Sequence, residues 1–98
     1  MIISTQPYIE ISRTIQSNGQ HRIESEQLLV LYRDKIITES RHFSLQDILD
    51  ISYKVISEET GFLYLHSNHQ VFSFYVKTSP TEFITEYKRL KAEGYTNE

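Results

Sequence analysis

Hydrophobic and polar residues alternate with a period of two along most of this 98-residue chain. The clearest alternation covers residues 61–76, in two runs that meet at Ser67-Asn68. Alternation on both sides of a short polar pair predicts a β-hairpin. One face of this hairpin is predicted to point into the core, and it carries Leu63, Leu65, Phe72, Phe74 and Val76.

The pattern changes to helical spacing directly after the hairpin, over residues 78–90. Ser79 is placed to cap this helix and Pro80 to occupy its first position, while Glu82 completes a capping box. Gly94 is a natural end for the helix. The apolar stripe predicted to pack on the sheet consists of Phe83, Ile84, Tyr87 and Leu90.

The start of the chain predicts another hairpin. Residues 8–16 alternate as a half-buried strand does. Ser17-Asn18-Gly19 predicts a tight turn, because Asn-Gly is a preferred hairpin pair, and a short strand is expected over residues 20–24. The apolar side chains on one side of the first strand are Ile9, Ile11 and Ile15.

The middle of the chain predicts further strands around a corner. Residues 27–32 form a near-continuous apolar run, in which periodicity alone fits a buried strand or a helix. The turn at Arg33-Asp34 and the β-branched residues favour a second hairpin with residues 35–40. Residues 51–57 resume the alternation. Between them we expect a corner that inserts three side chains into the core, those of Phe43, Leu45 and Ile48.

Together these elements predict a mainly-β fold. We expect a bent antiparallel sheet or partly open barrel of six or seven strands, with one C-terminal α-helix. A chain of this length suits a single domain over residues 1–98. Its core is expected at about residues 8–92, with a frayed tail over residues 95–98.

Composition narrows the classes of function. The chain has no cysteine, which excludes a disulfide scaffold and a thiolate metal site. Its formal net charge is −3, whereas proteins that neutralise many phosphates are normally positive, so we expect no nucleic-acid partner. No segment approaches the roughly 20 apolar residues that span a bilayer. The N-terminus also lacks the features of a secretory signal, and we therefore expect a cytoplasmic protein.

Three segments resemble the small bacterial members of the pleckstrin-homology (PH) superfold. Residues 28–37 are similar to their early hairpin, and residues 43–51 resemble a segment in which a Leu and an Ile bracket an Asp. Residues 71–84 resemble their last strand and the start of the helix. The resemblance implies a strongly bent sheet, an open corner closed by the helix, and a non-catalytic scaffold. Family members bind lipids, peptides, proteins or themselves, and fold analogy does not choose among these.

The face of the last hairpin that points away from the core is unusually apolar. We call it the outer patch, and it consists of Phe62, Tyr64, Val71 and Tyr75. In one interpretation the sheet bends so far that both of its faces are partly covered. In the other, the patch is an exposed contact surface for a protein partner or for a second copy in a homodimer. Our leading hypothesis is a non-catalytic binding module that acts through protein–protein contact or self-association.

An alternative hypothesis is a peripheral module that binds lipid or another anionic ligand. The PH resemblance implies a lipid site of Lys and Arg around the first hairpin. Here that region offers Arg13, His21 and Arg22, with Lys54 as a further candidate. Ordinary solvated surface charge is the competing interpretation of these residues.

Metal and catalytic chemistry have little support in the sequence. A two-residue turn at Ser67-Asn68 would place His66 and His69 opposite each other, but a zinc site needs three or four ligands. No Ser lies in a Gly-x-Ser-x-Gly motif, and no phosphate-binding glycine loop is present. Asp47 and Asp50 are interpreted as solvent-facing turn residues rather than paired carboxylates. We expect no enzyme activity, no metal and no cofactor.

Overall fold

A computed structural model of the chain describes the backbone of residues 1–16 and 19–94, and the side chains of residues 1–11, 19 and 23–93. Within these residues the chain forms one bent antiparallel sheet and one C-terminal helix. The helix α1 spans Thr81–Gly94, and a short 3-10 turn at Leu45–Asp47 joins the fourth strand to the fifth. The strands are β1 (Ser4–Gln16), β2 (Gly19–Leu31), β3 (Lys35–Ile37), β4 (His42–Ser44), β5 (Ile48–Ser57), β6 (Thr60–Ser67) and β7 (Val71–Val76).

The strand order across the sheet is β4-β3-β2-β1-β7-β6-β5. Two meanders, β1 to β4 and β5 to β7, therefore lie side by side, joined where β1 meets β7. This junction has a single register pair, Ile9 opposite Tyr75. The described strands do not close into a barrel, since β4 and β5 lie at the two ends of the sheet. The predicted fold class is confirmed, and the strand order is consistent with a PH-like topology.

The core lies between the concave face of the sheet and α1. The predicted helix stripe is confirmed, because Phe83, Tyr87 and Leu90 are buried and Ile84 packs against them. The hydroxyl of Tyr87 also donates a 2.8 Å hydrogen bond to the carbonyl of Ile48. The predicted corner is confirmed as well, and the buried residues contributed by it and by the final hairpin are Phe43, Leu45, Ile48, Leu63, Leu65 and Val76.

The first hairpin differs from its prediction. Instead of a short strand followed by a separate one, β2 is continuous and pairs with β1 along thirteen positions, from Ser4–Leu31 to Gln16–Gly19. This long ladder keeps β2 extended through polar residues whose own pattern is weak. Tyr8, Leu29 and Leu31 of this hairpin are buried in the core. Since β7 pairs with β1 only at Ile9, the part of the hairpin beyond that position extends away from the core, and the molecule measures 58 × 27 × 26 Å. The predicted turn at Ser17-Asn18 and the predicted frayed tail at 95–98 lie outside the described residues.

The final hairpin turns later than predicted. Strand β6 continues to Ser67 and β7 begins at Val71, so His66 lies opposite Val71 and His69 lies in the turn. The Ser67 N–H donates to the Gln70 carbonyl at 3.0 Å, and the Ser67 hydroxyl donates to the same oxygen at 2.8 Å. The two histidines are therefore not cross-strand partners.

The helix begins one position later than the predicted capping box requires. The carbonyl of Pro80 accepts the first helical hydrogen bond, from the Ile84 N–H at 2.9 Å, so Pro80 precedes the helix. The hydroxyl of Ser79 lies 2.7 Å from that of Thr81. The side-chain amide of Gln6 donates to the carbonyl of Thr78 at 3.2 Å, which fixes the start of the helix against β1.

Gly61 is required by the close approach of two strands. It lies opposite Val55, beside a bulge in the β5–β6 ladder, and a Cβ atom there would lie 2.1 Å from the Lys54 carbonyl oxygen. This oxygen belongs to the backbone, so the strand itself would have to move.

We expect Gly61→Ala to lower the free energy of unfolding by about 2 kcal/mol or more. Urea unfolding checks this against Ser57→Ala, at the exposed end of β5, and an unchanged midpoint for Gly61→Ala would contradict the argument.

Candidate binding surface

The outer patch lies on the convex face of the β5–β7 meander. The register places Phe62 opposite Tyr75 and His66 opposite Val71, while Leu63 and Leu65 face the core. The ring of Phe62 lies 5.7 Å from that of Tyr75 and 6.2 Å from that of Tyr64, measured between centroids. The structure therefore brings the three predicted aromatic residues together, with Val71 at the border of the patch.

The outer patch is only partly covered. Phe62, Tyr64 and Tyr75 are half-buried, because each ring shields part of its neighbour, and Val71 is 52% exposed. The bend of the sheet fully buries none of the four side chains, and the part of each ring that its neighbours leave uncovered faces solvent.

Strand β1 extends this apolar surface, which the sequence did not reveal. Tyr8 is the β1 residue that enters the core, whereas Ile9 lies beside Tyr75 on the outer face, and Ile11 is 39% exposed. Period-two alternation separated the two faces of β1 but did not indicate which one is inner, because both carry apolar residues. Glu24 lies opposite Ile11 and pairs with Lys77 at 3.4 Å, which gives this border a charged rim.

A cleft of about 240 Å³ opens where β1 and β7 diverge beyond their single paired position. The rings of Tyr8 and Phe74 meet edge to face in its lining, at 5.0 Å between centroids. Thr38 and Arg41, from the β3–β4 connection, line the other side. Its volume is below the usual range for small-molecule sites, so the cleft alone does not define a ligand.

A second cavity, of about 300 Å³, lies at the corner of the sheet between β4 and the β6–β7 turn. His42 and His69 both line it, together with Asp47. Among the described residues, however, no group of three or more His, Cys, Asp or Glu side chains is arranged to hold a metal ion. His66 is elsewhere, on the outer face, 6.3 Å from the ring of Tyr64.

One hydrogen bond on the outer face has the geometry of a nucleophile and its base. The Ser52 hydroxyl lies 2.8 Å from Nε2 of His66. A catalytic triad needs a third group that orients the histidine. Asp50 lies opposite His66 across the β5–β6 ladder, but no hydrogen bond among the described side chains joins the two. In this structure the Ser52–His66 contact links β5 to β6 beside the outer patch.

The predicted anion-binding residues lie on the first hairpin. The backbone register places Arg13 opposite Arg22, and His21 opposite Thr14. The side chains of all three predicted residues lie outside the part of the chain that the structure describes. Lys54 is not their neighbour, because it lies on β5 at the far edge of the sheet, opposite Phe62.

Comparison with protein-family models, curated proteins and solved structures finds no match for this chain. Across the described residues, no helix combines the length and apolar character that crossing a membrane requires.

The burial of the Tyr8 hydroxyl predicts that stability depends on pH. Burial raises its pKa above the ordinary value of 10.0, and a hydrogen bond with Thr38 offsets part of that rise. Because the pKa of Tyr8 is higher in the folded state, the contribution of Tyr8 to the free energy of unfolding is complete below about pH 10. This contribution is lost as the pH rises through the folded-state pKa.

We expect Tyr8→Phe to reduce the loss of stability between about pH 9 and pH 11.

Urea unfolding at several pH values measures this effect. Ser57→Ala, at the end of β5, removes no ionisable group and lies away from Tyr8, so it should keep the wild-type pH dependence. Equal slopes for Tyr8→Phe and wild type would show that Tyr8 does not carry the effect.

Proposed function

We propose that this protein is a non-catalytic, PH-like binding module that contacts a protein partner through the outer patch. The strand order and the helix that covers the inner face support membership of the PH-like class. The lack of cysteine is compatible with a reducing compartment, and we propose that the module acts in the cytoplasm.

The observation that carries this proposal is the half-buried cluster of rings formed by Phe62, Tyr64 and Tyr75 on the outer face of the sheet. Aromatic residues are enriched in the cores of protein interfaces, where they bury a large area with few rotatable bonds. Ile9 and Ile11 widen the cluster, and its border is polar or charged. An apolar centre with a polar rim is the arrangement found in protein–protein interfaces.

Two substitutions test the outer patch. Tyr64→Glu and Tyr75→Glu place a charge at its centre while leaving the inner face unchanged. We expect each to weaken partner binding by at least about tenfold, as loss of a central aromatic contact does. Lys88→Glu, on the exposed side of α1, is the matched control.

The measurement is affinity capture from the native host, followed by titration of the captured protein against the purified variants. Light scattering over a range of concentrations covers the case in which the partner is a second copy. A partner that binds wild type and both glutamate variants equally would exclude the outer patch, provided that circular dichroism shows all three to be folded.

The alternative is binding of an anionic ligand by the first hairpin, and one observation favours it. The register pairs Arg13 directly with Arg22. Like charges directly opposite each other destabilise a ladder, so a bound anion would relieve this cost.

Vesicle sedimentation tests the alternative. If it is right, vesicles rich in phosphatidylserine should retain the wild type at low salt and release it at high salt. Arg13→Glu with Arg22→Glu should abolish retention, whereas Lys88→Glu should not. Retention that is insensitive to both salt and the arginine substitutions would contradict this function.

A further inference from the structure

Strand β5 presents a long free edge. It pairs with β6 on one side and is the last strand of the described sheet on the other. The other terminal strand, β4, has only three residues, whereas β5 has ten. An exposed edge offers unpaired N–H and C=O groups to another strand, and natural proteins usually shorten or cover it.

The side chains of β5 do not shield this edge. Leu49, Val55 and Ile56 are 57%, 54% and 57% exposed, which is unusual for three large apolar residues on one strand. Bulges near both ends of β5 leave a regular stretch from Asp50 to Val55. Within this stretch, Asp50 and Lys54 are the charged residues, and both are exposed.

The charges of this stretch are self-complementary in one register. Two copies of a strand can pair antiparallel about a twofold axis normal to the sheet, which keeps equivalent faces on the same side. An axis at Asp50 or Lys54 places like charges opposite each other, and an axis at Ile51 or Tyr53 leaves both charges opposite uncharged residues. An axis at Ser52 places Asp50 of each copy opposite Lys54 of the other.

The same register also matches two residues of the inner face, since Ile51 lies opposite Tyr53 of the second copy. Neither Asp50 nor Lys54 forms an ion pair with another described side chain, since those pairs join Lys77 to Glu24 and Arg89 to two glutamates. Both charges are therefore available to a second copy.

We propose that two copies of this chain associate by antiparallel pairing of their β5 strands about a twofold axis at Ser52. Lys54 on an edge strand commonly discourages pairing with other strands. Here it also selects the partner, because only a strand with an acidic residue at the matching position compensates it. This proposal does not depend on the proposed function of the outer patch, which uses the face of the sheet rather than its edge.

Complementary charge reversals test the register. Asp50→Lys places Lys opposite Lys54 at two symmetric positions, and Lys54→Glu places Glu opposite Asp50 at two positions. Like charges directly opposite each other oppose strand pairing. We therefore expect the dimer of each variant alone to have a dissociation constant at least about ten times that of wild type. Mixed together, the two variants should form a heterodimer, since every charged pair is then opposite in sign.

Sedimentation velocity over about 1 µM to about 1 mM measures these equilibria, a range suited to a small interface. Lys88→Glu is the control and should dimerise as wild type does. Tyr64→Glu should also retain the dimer, which separates this proposal from the function of the outer patch. A wild type that stays monomeric over the whole range, or variants that do not associate on mixing, would overturn the proposal.

Cross-linking gives an independent measurement. Because the chain has no cysteine, Ser52→Cys introduces a single thiol at the twofold axis, where the two Cβ atoms would be about 5 Å apart. Mild oxidation should link this variant far faster than Lys77→Cys, whose site lies beyond β7. Equal rates would overturn the register.

Hydrogen exchange of the β5 amides tests a different occupant of the edge. Protection of these amides only after another protein is added would assign the edge to a strand of that protein instead.

Discussion

The fold depends on one narrow junction, where Ile9 of β1 lies opposite Tyr75 of β7. A single register pair contributes few main-chain hydrogen bonds, so the ladder alone cannot hold the two meanders together. Packing on the inner face does this instead. Tyr8 meets Phe74 across the junction, Phe43 meets Phe72 at 4.9 Å, and α1 covers both meanders. The helix therefore makes one core out of two half-sheets, and the buried hydrogen bond from Tyr87 fixes its position on β5.

The same junction determines which surfaces remain open. Because β1 leaves β7 directly after Ile9, its next apolar residue, Ile11, is not covered by a neighbouring strand on that side. Beside it the outer patch continues across β7 and β6. A sheet closed into a barrel would have no free edge, whereas this sheet ends at β5. The open architecture thus leaves two distinct surfaces, an apolar face and an unpaired edge, and both lie outside the packing of the core.

The local pattern of the sequence predicted much of the fold and the residues of the outer patch, but not the apolar face of β1 or the free edge of β5. Leu63 and Leu65 alternate with Phe62 and Tyr64, so the hairpin faces followed from period two, and the stripe through Phe83 and Tyr87 followed from helical spacing. The face of β1 did not follow, because Tyr8 and Ile9 are both apolar and only contacts with distant strands separate them. The edge at β5 was equally hidden, since strand order depends on the pairing of Ile9 with Tyr75, far away in the sequence.

The positions of the outer patch and of the free β5 edge are related by the geometry of the sheet. A twofold axis normal to the sheet at Ser52 would turn both outer patches toward the same side, with Tyr64 of each copy one strand away from the axis. A patch of a few side chains is small for a stable interface, which normally buries about 800 Å² on each partner. Two patches in one plane would present twice the apolar surface, and a partner with two matching sites would gain from effective concentration without any new contact. Edge pairing would therefore give the outer patch the area that a single copy lacks.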